Sequence, residues 1–296
     1  MTLEALNKRI KTTTDLRDIV GTMKMLSSVS IGPYEKALKS LLDYSQTVQD
    51  AFTGLMKDDR FFYTPRRPKS DHPKTIAVVI GTDNGLVGRF NRDVLNYVKS
   101  DLQESELISQ ARLICVGKRL GMMTETAGLP LEVTYPIMNS LKEIATIASM
   151  VLIKINEMIA RDHYEQVFVY YTRRNSGEPQ RVTRAQLIPL PYKRMMDMKH
   201  EKWTGRTLPL VTADRTALFQ SFIHEYLTVV LGGALTASLA AEHYTRMMNM
   251  QQAEKNIDES LAEMNLTYQQ LRQTGITDEL IDIVSGAESL KKKAKQ

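Results

Sequence analysis

The last quarter of the chain carries one uninterrupted helical pattern. Between Ala213 and Leu290 there is no proline. Apolar or small residues recur at Leu218, Phe222, Tyr226, Val229, Gly233, Ala237, Ala240, Tyr244 and Met247, then at Met250, Ala253, Ile257, Leu261, Met264, Tyr268 and Leu271. Every gap is three or four residues, so these positions line one side of a helix. At ~1.5 Å per residue, a helix over 213–290 would extend on the order of 115 Å, several times a typical domain diameter. Globular helices run roughly 8–20 residues, so the pattern predicts a coiled coil or a projecting rod. Charged and amide residues interrupt it throughout, and it reads as having no apolar run of the ~18 residues that a membrane span requires.

Such a seam needs a partner, and the N-terminus supplies one. Leu3, Leu6, Ile10, Thr13, Leu16, Val20, Met23 and Leu26 share its spacing, followed by Tyr34, Leu38, Leu41, Ser45, Val48, Phe52 and Leu55. The N-terminal helix is expected over 1–57, with a kink or short break at Gly32-Pro33, because proline removes a helical hydrogen bond and disfavours αR in the residue before it. The two terminal helices are expected to pair antiparallel.

Between them the period changes. Residues 58–74 contain Pro65, Pro68 and Pro73 and read as a linker. Residues 75–205 alternate strand-like and helix-like runs. Strands are expected at Thr75–Ile80, Arg112–Val116, Leu131–Tyr135, Gln166–Thr172 and Arg181–Leu190, and helices at Phe90–Ser105 and Ser140–His163. Alternation of this kind predicts a Rossmann-like α/β domain with a mostly parallel sheet, closed by a hairpin of the last two strands. Residues 191–212 lead to the long helix at 213–290. The fold class is therefore α/β, a central α/β sandwich domain joined to a long antiparallel coiled coil.

Composition changes this picture little. The 296 residues are 43% hydrophobic and 25% charged, with a net charge of +5. A mild positive charge without interleaved aromatic and basic residues does not predict nucleic-acid binding. The single cysteine, Cys115, excludes an intrachain disulfide and reads as a small buried hydrophobe. The N-terminal residues enter an amphipathic pattern directly, so no secretory signal is expected.

Candidate chemistry is sparse. The loop GTDNGLVG at Gly81–Gly88 follows the first strand, but it matches neither GxxxxGK[ST] nor GxGxxG, so a structural turn is expected rather than a phosphate cradle. His200-Glu201 and His224-Glu225 begin like HExxH, yet the required second histidines are Thr204 and Thr228. No GxSxG occurs. Glu254, Asp258, Glu259 and Glu263 read as a solvated or partner-facing surface. No catalytic, cofactor-binding or metal-binding residue is expected.

Both ends of the chain carry a resemblance. The run containing Glu242-His243, Arg246-Met247-Met248, Ala253, Asn265-Leu266, Tyr268, Arg272-Gln273, Ile276-Thr277, Glu279-Leu280 and Ile283-Val284-Ser285-Gly286-Ala287 resembles the γ subunit of F-type ATP synthases. So does the N-terminal LNKRIKTTTDLRDIVGTMKMLSSVS, with Arg9-Ile10 and Met23-Lys24-Met25. TIAVVIGTDNGLVGRFN and QLIPL resemble the opening and close of that family's central domain.

The resemblance implies a non-catalytic central-stalk rotor that couples ion flow through a membrane c ring to ATP synthesis or hydrolysis on an α/β hexamer. It implies one copy per complex, with the α and β subunits, a small ε/δ-type stalk subunit and the c ring as partners. The implied location is peripheral, on the cytoplasmic face of a bacterial inner membrane or, alternatively, the matrix side of a mitochondrial one. By resemblance Met23, Lys24, Arg272, Gln273 and Thr277 contact β. Ile281, Ile283, Val284 and Leu290 form an apolar tip turning in a hydrophobic sleeve. The loop around Arg206–Leu210 and part of 30–45 are candidates for the ring contact.

Two departures from the family's usual pattern imply a divergent or alternative branch. Ser30-Ile31-Gly32-Pro33-Tyr34 replaces a basic Ser-Lys run, and Val87 replaces a cysteine. The residues alone leave two alternatives open, a free-standing nucleotide-binding α/β regulator with a coiled-coil dimerisation arm, and an unrelated scaffold coiled coil.

Overall fold

A computed structural model describes residues 2–57, 73–137, 140–174, 179–190, 203, 207 and 210–293, with the side chains of 141 and 286–293 left aside. The elements in order are α1 (Leu3–Met56), β1 (Thr75–Ile80), α2 (Phe90–Glu104), β2 (Ala111–Val116), α3 (Lys118–Thr126), β3 (Leu131–Tyr135), α4 (Leu141–Asp162), β4 (Gln166–Arg173), β5 (Arg181–Ile188) and α5 (Arg215–Lys293). The chain divides into two compact units, Met1–Ser27 with Arg246–Gln296 and Ser28–Thr245, so the division falls inside both long helices.

In the larger unit the five strands lie in the order β3-β2-β1-β4-β5. β1, β2, β3 and β4 pair in parallel, and β5 pairs antiparallel with β4 as the hairpin expected from the sequence. Every residue of β1 is buried, as a strand covered on both faces requires. Ile76, Val78 and Ile80 point to one side, where they meet Ile147, Val151 and Ile155 of α4 and Leu231, Leu235 and Leu239 of α5. Ala77 and Val79 point to the other side, against Val94, Val98 and Leu102 of α2 and Leu120 of α3. The sheet is thus the middle of three layers.

α3 was not anticipated, because GKRLGMMTETAG places glycine inside and at both ends of the segment, which weakens a helix. Gly121 shows why it is there. A Cβ at that position would stand 2.3 Å from Thr134 Oγ1 of β3, so helix and strand approach too closely for any side chain.

Of the kink or short break expected at Gly32-Pro33, the break does not occur: α1 is helical across it. Both residues face solvent, as does Val29 one turn earlier, so the carbonyl that loses its N–H partner lies on the water side of the helix while the neighbouring Tyr34 stays in the core. Tyr34 stacks on His243 at 5.4 Å between ring centroids, and Phe52 packs on Phe219 and Phe222. α1 and α5 run antiparallel here, with Tyr44 Oη donating to Glu225 at 2.9 Å.

The sequence reading of α5 as lacking a membrane-length apolar run is corrected. The helix does hold an 18-residue window apolar enough to cross a bilayer, half of it buried inside the fold. Leu227, Leu231, Ala234, Leu235 and Leu239 explain the burial, since they cover the sheet.

The smaller unit consists of the N-terminal part of α1 and the C-terminal part of α5. Arg17 pairs with Asp258 and Lys24 with Glu254, so rising numbers on α1 meet falling numbers on α5, which makes the pair antiparallel. On α5 the inward positions are Met250, Ala253, Ile257, Leu261, Met264, Tyr268 and Leu271, the same seam read from the sequence. On α1 the inward positions begin as expected with Leu6, Ile10 and Thr13, then continue through Val20, Lys24 and Ser27. Leu16 and Leu26 were expected in the seam. They face outward instead, at 49% and 64% exposure.

Candidate partner-binding surfaces

The glycine loop after β1 is closed on itself. The Thr82 backbone N–H donates to Asn91 Oδ1 at 3.0 Å, and Asn91 Nδ2 donates back to Thr82 Oγ1 at 2.9 Å. Asp83 Oδ1 accepts the backbone N–H groups of Lys118 at 2.6 Å and Ile137 at 3.0 Å. A Cβ at Gly81 would lie 2.6 Å from both Asn91 Oδ1 and Leu120 Cβ. The glycine therefore answers a packing need, and the Thr82 and Lys118 amides are committed within the fold. In the β2 strand beside it, Cys115 is fully buried, and burial pushes its thiol up to about 11. That keeps it protonated and inert at neutral pH. Among the described residues no group of His, Cys, Asp and Glu has the arrangement of a metal site.

The polar chemistry of the smaller unit is concentrated across the coil. Arg17 Nε donates to Asp258 Oδ1 at 2.5 Å, and Lys24 Nζ donates to Glu254 Oε2. The acidic residues that read as a solvated or partner-facing surface thus include two that tie the helices together. Their positions flank the apolar seam, where opposite charges set register. The signal was present in the sequence as charges one step outside the a/d-like positions, but the partner on the other helix could not be named without the pairing. Asp258 also holds the Arg17 guanidinium above its ordinary range, through the hydrogen bond first and charge second.

Of the residues assigned to β contact, Met23 and Lys24 are half-buried, and Lys24 is engaged by Glu254. Arg272, Gln273 and Thr277 are exposed on α5, with the Thr277 hydroxyl donating to the Gln273 carbonyl at 2.9 Å. The two groups are not brought together: the 18 residues from Glu254 to Arg272 correspond to about 27 Å of helix. Met23 stands in a row with Leu16 and Leu26, which the sequence pattern placed in the seam, and with Ile19, which it did not. Leu16, Ile19, Met23 and Leu26 follow one another at gaps of three and four along α1, and three of them are well exposed. Solvent-facing apolar residues in such a row mark a surface that another molecule covers.

Beyond Leu271 every described side chain of α5 is exposed. Ile276, Leu280 and Ile283 form one row, and Ile281 and Val284 stand beside it at 57% exposure each. Leu290 lies in the same helix, its side chain outside the described residues. Of the ring-contact candidates, Arg206 is outside the described residues, and Leu210 is exposed.

These features have known counterparts. The sequence profile of the family described as ATP synthase matches residues 2–290. The chain belongs to the ATP synthase family. Among its relatives is the ATP synthase gamma chain of Geobacter sp. (strain M21), 26% identical over 290 residues, spanning 98% of this chain and 99% of that one. The ATP synthase gamma chain of Staphylococcus epidermidis is 25% identical over 292 residues, with 97% and 99% covered.

Among solved structures, a chain of the Euglena gracilis mitochondrial ATP synthase OSCP/F1/c-ring assembly in rotational state 3 superposes with a TM-score of 0.66 at 18% identity. The match covers all of this chain and 96% of that one. A chain of the central stalk and c-ring structure from Tetrahymena thermophila mitochondrial ATP synthase gives a TM-score of 0.56 at 20% identity, covering 79% of this chain and 99% of that one. These likenesses are of fold, and the first spans the long terminal helices as well as the α/β domain.

Proposed function

We infer that the chain is the γ-type central-stalk rotor of an F-type ATP synthase, coupling ion flow through a membrane c ring to ATP synthesis or hydrolysis on an α/β hexamer. The observation that carries this reading is the family match over residues 2–290, laid on a fold in which two long antiparallel helices flank an α/β domain. A rotor must be stiff and its faces unequal. Stiffness is supported by the continuous helix across Pro33 and by the ion pairs of Arg17 and Lys24. Inequality is supported by the apolar stripe of Leu16, Ile19 and Leu26 on one side of α1. Each shaft orientation then stabilises one conformation of a surrounding β subunit more than the others, which is the differential affinity that coupling demands.

The chain itself is non-catalytic in this reading; the nucleotide chemistry belongs to the hexamer. Its partners are α, β, a small ε/δ-type stalk subunit and the c ring, with one copy per complex. It is held peripherally at the membrane, on the cytoplasmic face. Arg272, Gln273 and Thr277 contact an acidic segment of β, where the guanidinium makes charge-assisted hydrogen bonds. Met23 contacts β together with its exposed neighbours on α1. Lys24 acts through its bridge to Glu254, leaving the outer face of that turn to the β contact. Ile281, Ile283, Val284 and Leu290 form the apolar tip that turns within the hexamer's sleeve. Leu210 and part of 30–45 approach the ring.

Reconstitution with α and β from the same source tests the reading. One copy per three of each, with ATPase activity above that of α and β alone, is expected. A stable homodimer indifferent to α and β would sink it.

A further inference from the structure

We propose that Arg174 is a positioning residue for torque, locking both long helices to the α/β domain so that they turn with it as one body. Arg174 directly follows β4. Its Nη2 donates to Glu35 Oε1 of α1 at 2.6 Å, and its guanidinium lies 4.3 Å from the centre of the Tyr244 ring of α5. One side chain thus joins α1 and α5 to the end of a strand. Its neighbours add to the tie. Tyr34 stacks on His243 at 5.4 Å with the ring planes 18° apart, and Thr245 Oγ1 lies 2.8 Å from Oε1 of Gln180, the residue before β5. The larger unit ends at Ser28 on α1 and at Thr245 on α5, so these contacts hold both helices where the chain passes out of it.

Apolar packing of α5 on the sheet does not supply this by itself. Leu231, Leu235 and Leu239 bury surface against it. That burial resists separation, but it is non-directional and opposes twist weakly. A planar guanidinium fork on a carboxylate has a fixed geometry and resists rotation of one partner about the other. The Arg174 and Glu35 side chains are 27% and 52% exposed, so the pair adds little to folding stability, and what it contributes is direction. The inference rests on the rotor reading and extends it to the place where torque passes between domain and helices.

Angular fluctuation of the assembled complex tests it. The complex is immobilised through its α and β subunits and stalled at one dwell. A gold particle is attached through Lys99→Cys on the exposed face of α2, while the native Cys115 is buried and stays unlabelled. Arg174→Met keeps an apolar contact with the Tyr244 ring and removes the charge. It is expected to roughly double the angular variance, because the directional contact is lost, while subunit stoichiometry and the melting midpoint of the chain are retained. Glu35→Gln is expected to widen the distribution in the same direction. The double variant is expected to widen it no more than Arg174→Met alone, as the two halves of one contact require. Arg174→Lys keeps the charge and is expected to recover part of the stiffness. A variance unchanged by Arg174→Met in a complex that turns would overturn the inference. So would additive effects of the two substitutions, or a lowered melting midpoint in both single variants, which would make the pair a contact of the fold alone. An unaltered chain that neither assembles nor turns would overturn the rotor reading itself, and the inference with it.

Discussion

Gly81 and Lys24 show how much one side chain can carry in this molecule. A methyl at Gly81 would collide with Asn91 Oδ1 and Leu120 Cβ at 2.6 Å. Moving Asn91 also breaks its two bonds to Thr82. Gly81→Ala is therefore expected to cost about 2–3 kcal/mol, combining overpacking with lost buried hydrogen bonds, read as a lowered denaturation midpoint without loss of Cys115 burial. The Lys24–Glu254 pair makes a smaller claim. Both groups are partly solvated, at 36% and 23% side-chain exposure, so screening limits the pair to about 0.5 kcal/mol. A double-mutant cycle with Lys24→Met and Glu254→Gln should return a coupling of that size at low salt and less at high salt. A coupling indistinguishable from zero at low salt would remove the bridge from the account of the coil.

Among the elements, α1 and α5 respond differently to change. Pro33 sits in a continuous helix with its ring toward solvent. Pro33→Ala restores one N–H and relieves the clash with the preceding turn, partly offset by a more flexible unfolded chain. The net expectation is a gain of about 1–2 kcal/mol, from a proline penalty near 3, measured as a raised urea midpoint. α5 behaves otherwise past Leu271, where its described side chains make no seam. Removing residues 273–296 is expected to change stability by less than about 1 kcal/mol, or roughly 2 °C in melting midpoint. An isolated helical end contributes little without packing. A large drop would show that the tip packs on the chain itself rather than awaiting a partner.

For the whole molecule the decisive distinction is between folding and coupling. Arg272 is exposed on α5, beyond the seam that holds the coil. Arg272→Ala should leave complex yield and the melting midpoint of the chain unchanged. It should lower ion pumping per ATP hydrolysed severalfold, as loss of a charge-assisted contact worth ~1.5 kcal/mol would allow. Membrane vesicles carrying the assembled complex provide the measurement, and unchanged pumping would remove Arg272 from the contact with β.

The sequence by itself determined what depends on local periodicity. The 3.6-residue repeat of α5, the buried runs of the strands and the hairpin ending the sheet are each imposed by neighbouring residues, so they were legible before any packing was known. Only the tertiary structure decided what depends on contact between distant segments. It turned Leu16 and Leu26 outward, because the α1 seam is chosen by where α5 lies and a helix with apolar residues on adjoining sides can present either. It allowed α3 to form around Gly121, since a close approach to Thr134 outweighs the intrinsic cost of glycine in a helix. It carried α1 through Pro33, because the lost hydrogen bond faces water rather than the core. It also paired Asp258 and Glu254 with Arg17 and Lys24, since charges more than 200 positions apart in sequence are matched only by the register of the folded coil.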